Sequence, residues 1–274
     1  MKLGIGLGLN RRLAAGGFSP ALLFAGSEPG VWLDPSDLTT LFQDTAGTIP
    51  VTAAGQTVAR INDKSGNNNH ATQATAAARP IYQVDGNGRG YLAFDGVDDF
   101  LVTPAITPGT DKAQAFAGVR KLSDAGFGTI VEHSADTNSL NGAFSIGVST
   151  NQGDVSRRTW AAALRGTTFN LASAGVFAAP DTRVQTAEFD ISQSSASSET
   201  RMRLNGASQT LSYTVSDAGT GNFLAYPLYI GRRAGTSLPL NGNIYSLIVR
   251  FGANLTTDQI DSTENWVNSK TGAY

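Results

Sequence analysis

The chain has 274 residues, with 20 Lys and Arg against 22 Asp and Glu, and a formal net charge of −2 at pH 7. So nearly neutral a chain lacks the basic surface that binds nucleic acid, and we expect no nucleic-acid partner. Cysteine is absent, so disulfides and thiolate zinc sites are excluded. The 31 glycines, 10 prolines and 15% charged residues are typical of a turn-rich β protein. No apolar run approaches the roughly 18 residues of a membrane span.

Residues 1–28 form a glycine-rich N-terminal arm of low charge, ahead of a main domain predicted over residues 29–274. Its opening, MKLGIGLGLNRR, carries two arginines behind a short apolar stretch, unlike a secretory signal. The arm has too few apolar residues for its own core, so it is expected to pack either on another chain or across its own domain. The side chains expected to make that contact are Leu3, Leu7, Leu9, Arg11, Arg12 and Phe18.

From residue 30 onward, short runs of β-branched and aromatic residues alternate with turn residues. The run GVWL (30–33) predicts a strand that ends at the turn initiator Asp34-Pro35, and Ser36 is expected to cap a short helical turn. Later strands are predicted in AQAFAGVRK (113–121), GTIVEH (128–133), AFSIGVST (143–150), RTWAAALR (158–165), VQTAEFDIS (184–192), TRMRLNG (200–206), LYIGRR (228–233) and GNIYSLIVRF (242–251). About twelve such strands predict an all-β sandwich of two antiparallel sheets.

One helix is predicted near the C-terminus, in NLTTDQIDSTENWVNSKTG (254–272). Thr256 and Gln259 have the spacing of a capping box, in which each side chain satisfies a free backbone N–H of the other. Ile260 and Val267 lie on one packing face, and Gly272 suits the left-handed residue that ends many helices.

The order of several segments resembles the concanavalin-A-like jelly-roll domains of the laminin-G-like type. These segments are NDKSGNNNHATQ (62–73), YLAFDGVDDFLV (91–102), RMRLNG (201–206), LYIGRR (228–233), LNGNIYSLIVRF (240–251) and NLTTDQI (254–260). The resemblance covers roughly residues 29–272, and it implies a two-sheet antiparallel jelly-roll sandwich with a short C-terminal helix.

A narrower resemblance lies in residues 18–83, FSPALLFAGSEPGVWLDPSDLTTLFQDTAGTIPVTAAGQTVARINDKSGNNNHATQATAAARPIYQ, which are similar to the opening of many tailed-bacteriophage and prophage proteins. It implies a structural component of a virion, tail-associated or particle-decorating, that is a homo-oligomer or present in many copies and is assembled in the host cytoplasm. No enzymatic activity and no membrane partner are expected. The arm would then contact other virion proteins. The lectin-like domain would bind a bacterial surface polysaccharide, or would only decorate the particle; a glycan-active hydrolase and a free secreted lectin are the remaining alternatives.

Rim loops are where jelly-roll sandwiches usually bind ligands, because loops tolerate variation while the sheets keep the scaffold. Three such loops carry amides, hydroxyls and arginines, which suit sugar hydroxyls and acidic glycans. Trp160 is a stacking candidate there, although tryptophan is more often part of a core. The predicted glycan-binding residues are Asn68, His70, Arg157, Arg158, Trp160, Arg232 and Arg233.

The segment FDGVDD (94–99) interrupts a strand pattern with three aspartates. One interpretation is a hairpin at the Asp95-Gly96 pair, with Phe94 and Phe100 facing the core. The other is a calcium site, because Ca²⁺ takes several carboxylate and amide oxygens. Its predicted ligands are Asp63, Asn67, Asp95 and Asp98, and no other cofactor is expected.

The segment EFDISQ (188–193) resembles the E-x-D-x-x-E strand of jelly-roll glucanases. Glu188 and Asp190 match it, but Gln193 stands where the acid/base carboxylate belongs, and an amide cannot exchange a proton at a useful pKa. The alternative is an ordinary strand with Phe189 and Ile191 facing the core, and we prefer it.

Overall fold

The computed structural model describes residues 17–148 and 158–274. Five predicted docking residues (Leu3, Leu7, Leu9, Arg11 and Arg12) and the glycan candidate Arg157 lie outside the described residues. The helices are α1 (Ala196–Glu199), α2 (Thr257–Thr271) and three short 3₁₀ turns at Pro20–Phe24, Leu38–Thr40 and Ala76–Ala78. The strands are β1 (Gly30–Leu33), β2 (Leu41–Phe42), β3 (Arg60–Ile61), β4 (Ala71–Thr72), β5 (Ile81–Val84), β6 (Gly90–Asp95), β7 (Leu101–Val102), β8 (Lys112–Lys121), β9 (Gly128–His133), β10 (Ala143–Val148), β11 (Trp160–Arg165), β12 (Phe169–Ala174), β13 (Asp181–Asp190), β14 (Thr200–Leu204), β15 (Ala207–Ser208), β16 (Leu211–Tyr213), β17 (Leu228–Ile230) and β18 (Asn241–Phe251).

The strands form two antiparallel sheets, as predicted. Sheet A has the order β15-β14-β13-β8-β18-β6-β5, with β1 also paired to β18. Sheet B has the order β16-β12-β11-β10-β9-β17-β7-β4-β3-β2. Strands that are neighbours in a sheet are often distant in the chain. For example, the two long strands at the centre of sheet A, β8 and β18, pair over residues 113–121 and 242–251.

The main core lies between the inner faces of the two sheets. Successive side chains of a strand point to opposite faces, so β10 contributes Phe144, Ile146 and Val148 to this core. Sheet A faces them with residues such as Phe189 and Phe251. The predicted inward direction of Phe189 and Ile191 is therefore confirmed.

A second core covers the outer face of sheet A. Phe116, Val184 and Ile248 project there and would be left in water, and α2 covers them together with the turn at Pro20–Phe24. Leu23 and Phe24 are 2% and 6% exposed, and the Leu23 carbonyl accepts a hydrogen bond from Arg250 Nε at 2.8 Å. Phe18, Leu23 and Phe24, which belong to the predicted arm, pack on the sandwich here, because the apolar outer face of sheet A needs a cover. The division at residue 28 and the docking role of the arm stay predictions.

Helix α2 begins and ends as predicted. Both hydrogen bonds of the Thr256–Gln259 capping box form, and Gly272 has a left-handed φ of 63°. The short turn at Leu38–Thr40 begins one residue later than predicted, because Asp37 is its cap and Ser36 bonds instead to Asp34. Over residues 17–148 and 158–274, no helix is both long and apolar enough to cross a bilayer.

Candidate functional site

The FDGVDD segment is a tight turn that carries the chain from β6 in sheet A to β7 in sheet B. It is not the predicted hairpin, because β6 pairs with β5 and β18 whereas β7 pairs with β4 and β17. Asp95 Oδ1 accepts hydrogen bonds from the backbone of Val97 at 2.8 Å and Asp98 at 3.3 Å, and Gly96 takes a positive φ of 79°. Asp99 is buried, and its Oδ2 accepts from the Asp95 backbone at 3.0 Å. Burial, and then the charges of Asp95 and Asp98, raise the pKa of Asp99 to about 6. The aspartates therefore build a tight turn at Asp95-Gly96, as predicted, but the turn connects the two sheets and does not join a hairpin. Phe94 faces the core as predicted.

Phe100 was also predicted to face the core, but it is only half-buried and its ring packs against Gly235.

The four predicted calcium ligands do not come together. The carboxylates of Asp95, Asp98 and Asp99 lie within 4.8 Å of one another, and Asp63 is not part of this group. Both Asp63 oxygens accept from N–H and O–H groups of its own loop and of the Trp32 backbone. Asn67 Nδ2 donates to the carbonyls of Glu28 and Gly30. Asp63 and Asn67 thus hold their loop against the start of β1, apart from the FDGVDD carboxylates, and a calcium site that uses all four residues stays a prediction.

The polar loop around residues 65–73 is occupied by its own hydrogen bonds. Asn69 Nδ2 donates to the Gly30 carbonyl at 2.8 Å, and His70 Nδ1 accepts from the Asp63 backbone at 3.0 Å. Burial, and then the charge of Arg60, lower the pKa of His70. Asn68 takes a positive φ of 59° in the turn. His70 thus has one ring nitrogen committed to the loop, which weakens its case as a sugar contact.

Trp160 is not a surface residue, which corrects its assignment as a glycan contact. It is 0% exposed on the inner face of sheet B, and its Nε1 donates to Asp181 Oδ2 at 2.8 Å. Strand register decides this, because Trp160 opposes Val148 and Ala174, which also face the core. Arg158 is 37% exposed, and its Nε lies 3.6 Å from Asp124.

The two arginines after β17 are also held by the protein. Arg233 donates from Nε to Glu132 Oε2 at 2.7 Å and pairs with Asp136 at 3.2 Å. Glu132 is 0% exposed, and its Oε1 accepts from both the backbone and the hydroxyl of Thr137 at 2.6 Å. Arg232 donates to the backbone carbonyls of Asp98 and Thr236. Neither arginine is the free rim cation that the sequence suggested.

A groove of ≈ 200 Å³ lies on the outer face of sheet B, and we call it the sheet groove. Its floor is formed by Ser145 and Ala163, which oppose each other on β10 and β11. Its walls and one polar end are formed by Phe127, Phe169, Leu171, Leu238, Asn138 and Arg233.

The floor is deep because its outward-facing side chains are small. A Cβ at Gly147 would lie 2.5 Å from the Phe127 ring, so glycine is needed for this ring to pack across β10. The alternation of small residues in β10 and β11 was a usable sequence signal, but only the register brings them beside Phe169.

The carboxylates of the EFDISQ segment are held in ion pairs. Glu188 lies 3.2 Å from Arg201, and Asp190 lies 3.2 Å from Lys112. Although burial opposes it, hydrogen bonds from Ser192, Lys112 and Asn254 lower the pKa of Asp190 to about 2. A carboxyl that stays ionised above that pH is unsuited to general acid catalysis.

No family model and no curated protein matches this sequence. Among solved structures, one of botulinum neurotoxin type C matches with a TM-score of 0.54 and 13% identity, over 91% of this chain and 53% of that chain. Cell entry of that toxin depends on interaction with two ganglioside molecules. The binding domain of botulinum neurotoxin DC in complex with rat synaptotagmin II matches with a TM-score of 0.50 and 11% identity, over 88% and 52%. The CBM40 of Ruminococcus gnavus IT-sialidase, bound to α2,3 sialyllactose, has a TM-score of 0.42 and 13% identity, over 60% and 97%.

The likenesses to the two toxin structures show the fold alone, which is a β-sandwich. The chain spans about half the length of the toxin chains that it matches. At this level of identity, function has to be argued from the site.

Proposed function

We propose that this chain is a glycan-binding component of a bacteriophage particle, and that the sheet groove receives the sugar. The observation that carries the glycan part is the groove itself, with two phenylalanine rings, Phe127 and Phe169, beside a polar end at Asn138 and Arg233. Apolar walls with a few placed polar groups are the usual composition of a small-ligand site.

The chemistry of the groove suits one sugar ring. The C–H face of a pyranose packs on aromatic and aliphatic side chains, here Phe169 and Leu171, while its hydroxyls reach Asn138. The groove is smaller than the roughly 300–1,000 Å³ of sites for drug-sized ligands, so we expect it to hold a single ring weakly. Useful adhesion would then come from many copies on one particle.

The virion part of the proposal is supported by the resemblance of residues 18–83 to phage proteins. The position of Phe18 adds to it. Phe18 packs against the outer-face core of sheet A, whereas the sheet groove is on the outer face of sheet B. A particle that held the chain through the residues before Phe18 would present the groove outward.

The glycan part is tested with the full chain, displayed as a multivalent array and presented to a panel of bacterial surface polysaccharides. Phe169→Ala should weaken binding by about tenfold or more, because truncating an aromatic anchor costs about 1–2 kcal/mol or more. Phe18→Ala is the matched control, since it removes a half-buried phenylalanine on the opposite face. Equal binding by both variants, or no binding by the original array, would reject the glycan function and leave a decorating role.

The virion part is tested separately, by probing purified particles with antibodies against this chain. Surface labelling that is lost when residues 1–16 are deleted is the expected result. Particles that contain no copy of the chain would refute the virion role.

A further inference from the structure

Resting on the proposed function, we infer that the sheet groove selects neutral sugar rings and rejects sugars that carry a carboxylate. The inference comes from the state of Arg233, which among the described residues is the one charged side chain lining the groove.

The positive charge of Arg233 is already neutralised. Its guanidinium lies 2.7 Å from Glu132 Oε2 and 3.2 Å from Asp136 Oδ1. One cation between two carboxylates leaves a local charge of −1. An acidic sugar placed against Arg233 would therefore meet the two carboxylates that already hold this guanidinium, and like-charge contacts of this kind weaken binding.

Glu132 cannot give up its partner at low cost. It is 0% exposed, and its other oxygen is occupied by Thr137. If a ligand carboxylate drew the guanidinium away, a buried carboxylate would be left without its cation, which is strongly unfavourable. The remaining N–H groups of Arg233 are therefore suited to sugar hydroxyls, which can accept a hydrogen bond without displacing Glu132.

The second arginine near the groove does not supply a free cation either. Arg165 donates from one terminal guanidinium nitrogen to the Asn138 carbonyl at 2.6 Å and from Nε to Asn141 Oδ1 at 3.0 Å. Counting Arg165 and Arg233 with Glu132 and Asp136, the charges at this end sum to zero. The apolar walls then provide the main attraction, and they favour an uncharged ring.

The test compares arrays of the full chain on immobilised oligosaccharides that end in glucose, galactose or N-acetylhexosamine with matched ones that end in sialic or uronic acid. We expect the neutral set to bind about tenfold or more tightly than the acidic set. We also expect that binding changes little between about 50 and about 500 mM salt, since screening acts on charges.

Two variants separate the charge argument from folding. Asp136→Asn, at a residue whose side chain is 39% exposed, should improve binding of the acidic set by about fivefold and leave the neutral set unchanged. Glu132→Gln should also improve binding of the acidic set, because it removes one of the two negative charges beside Arg233. The fold should be kept, because the amide oxygen can still accept hydrogen bonds from Thr137. Asp258→Asn, on α2 at the opposite face, is the control and should change neither set.

Tighter binding of the acidic set, with a steep loss in high salt, would overturn the inference while leaving the glycan function standing. An unchanged preference in Asp136→Asn and Glu132→Gln would overturn the charge mechanism. If neither set binds at all, the proposed function fails and the inference fails with it.

Discussion

His133 is a fully buried histidine in the aromatic part of the main core, and it makes stability depend on pH in a measurable way. It is 0% exposed, and neither ring nitrogen makes a hydrogen bond of good geometry, although backbone groups of Ile106 and Tyr226 favour the protonated ring to a lesser degree than burial opposes it. Its ring lies 4.8 Å from Phe251 and 5.7 Å from Phe144, measured between centroids. Burial among these rings lowers its pKa to about 3.

The expected effect follows from the difference between the folded and unfolded pKa. In the unfolded chain His133 takes up a proton below about pH 6.5, whereas the folded protein resists it down to about pH 3. The stability contributed by the neutral ring is therefore present above pH 6.5 and is lost as pH falls. Between pH 7 and pH 5 the loss is about 2 kcal/mol.

The perturbation is His133→Leu, which fills the site with an apolar side chain that does not titrate. When the pH is lowered from 7 to 5, the original protein should lose about 2 kcal/mol more of its free energy of unfolding than the variant does. Urea denaturation at the two pH values measures it. Other titrating groups cancel in this difference, including Asp99 and Glu199, whose raised pKa values of about 6 and about 7 act in the opposite direction.

A difference between the two proteins that stays constant from pH 7 to pH 5 would refute the reasoning. It would mean that His133 takes up its proton in the folded state, so that it is either hydrated or paired.

Three further results are expected. Asp99→Asn should raise the free energy of unfolding at pH 7 by about 1–3 kcal/mol and leave it unchanged at pH 4, because the folded pKa of about 6 makes the ionised carboxylate costly at pH 7. The amide oxygen can still accept the hydrogen bond from the Asp95 backbone. Equal stability of the two proteins at pH 7 would contradict this. Millimolar calcium against chelator should not change the melting temperature, since the carboxylates of Asp95 and Asp99 accept hydrogen bonds within the turn; a rise with calcium would reveal a cation site there. Deleting residues 1–16 should leave the melting temperature unchanged, whereas deleting residues 1–28 should lower stability by about 3 kcal/mol or more, because Leu23 and Phe24 leave the second core; a truncation at residue 28 as stable as the full chain would show that these contacts contribute nothing.

Elements with a local cause could be predicted from the sequence. β9 spans the predicted residues 128–133, and the capping box and glycine end of α2 form as expected. Both follow from residues a few positions apart, because side-chain alternation and helix caps are local. The strand β12 (Phe169–Ala174) was missed, since its polar alternation is weak and its place depends on pairing with β11.

The site required the tertiary structure. Trp160 follows Arg157 and Arg158 and looks exposed, but its register with Val148 and Ala174 turns it into the core. Arg233 looks like a free cation until Glu132, from a strand about a hundred residues earlier, is placed against it.

The sequence by itself determined the all-β class, most strand positions and the C-terminal helix, because periodicity, turn residues and caps act over a few residues. Only the tertiary structure decided which side chains are available to a ligand. The sheet groove is assembled from β10, β11, β12, the loops on both sides of β9 and the loop after β17. Sheet pairing brings these segments together across more than a hundred residues, and burial and charge neutralisation depend on that pairing.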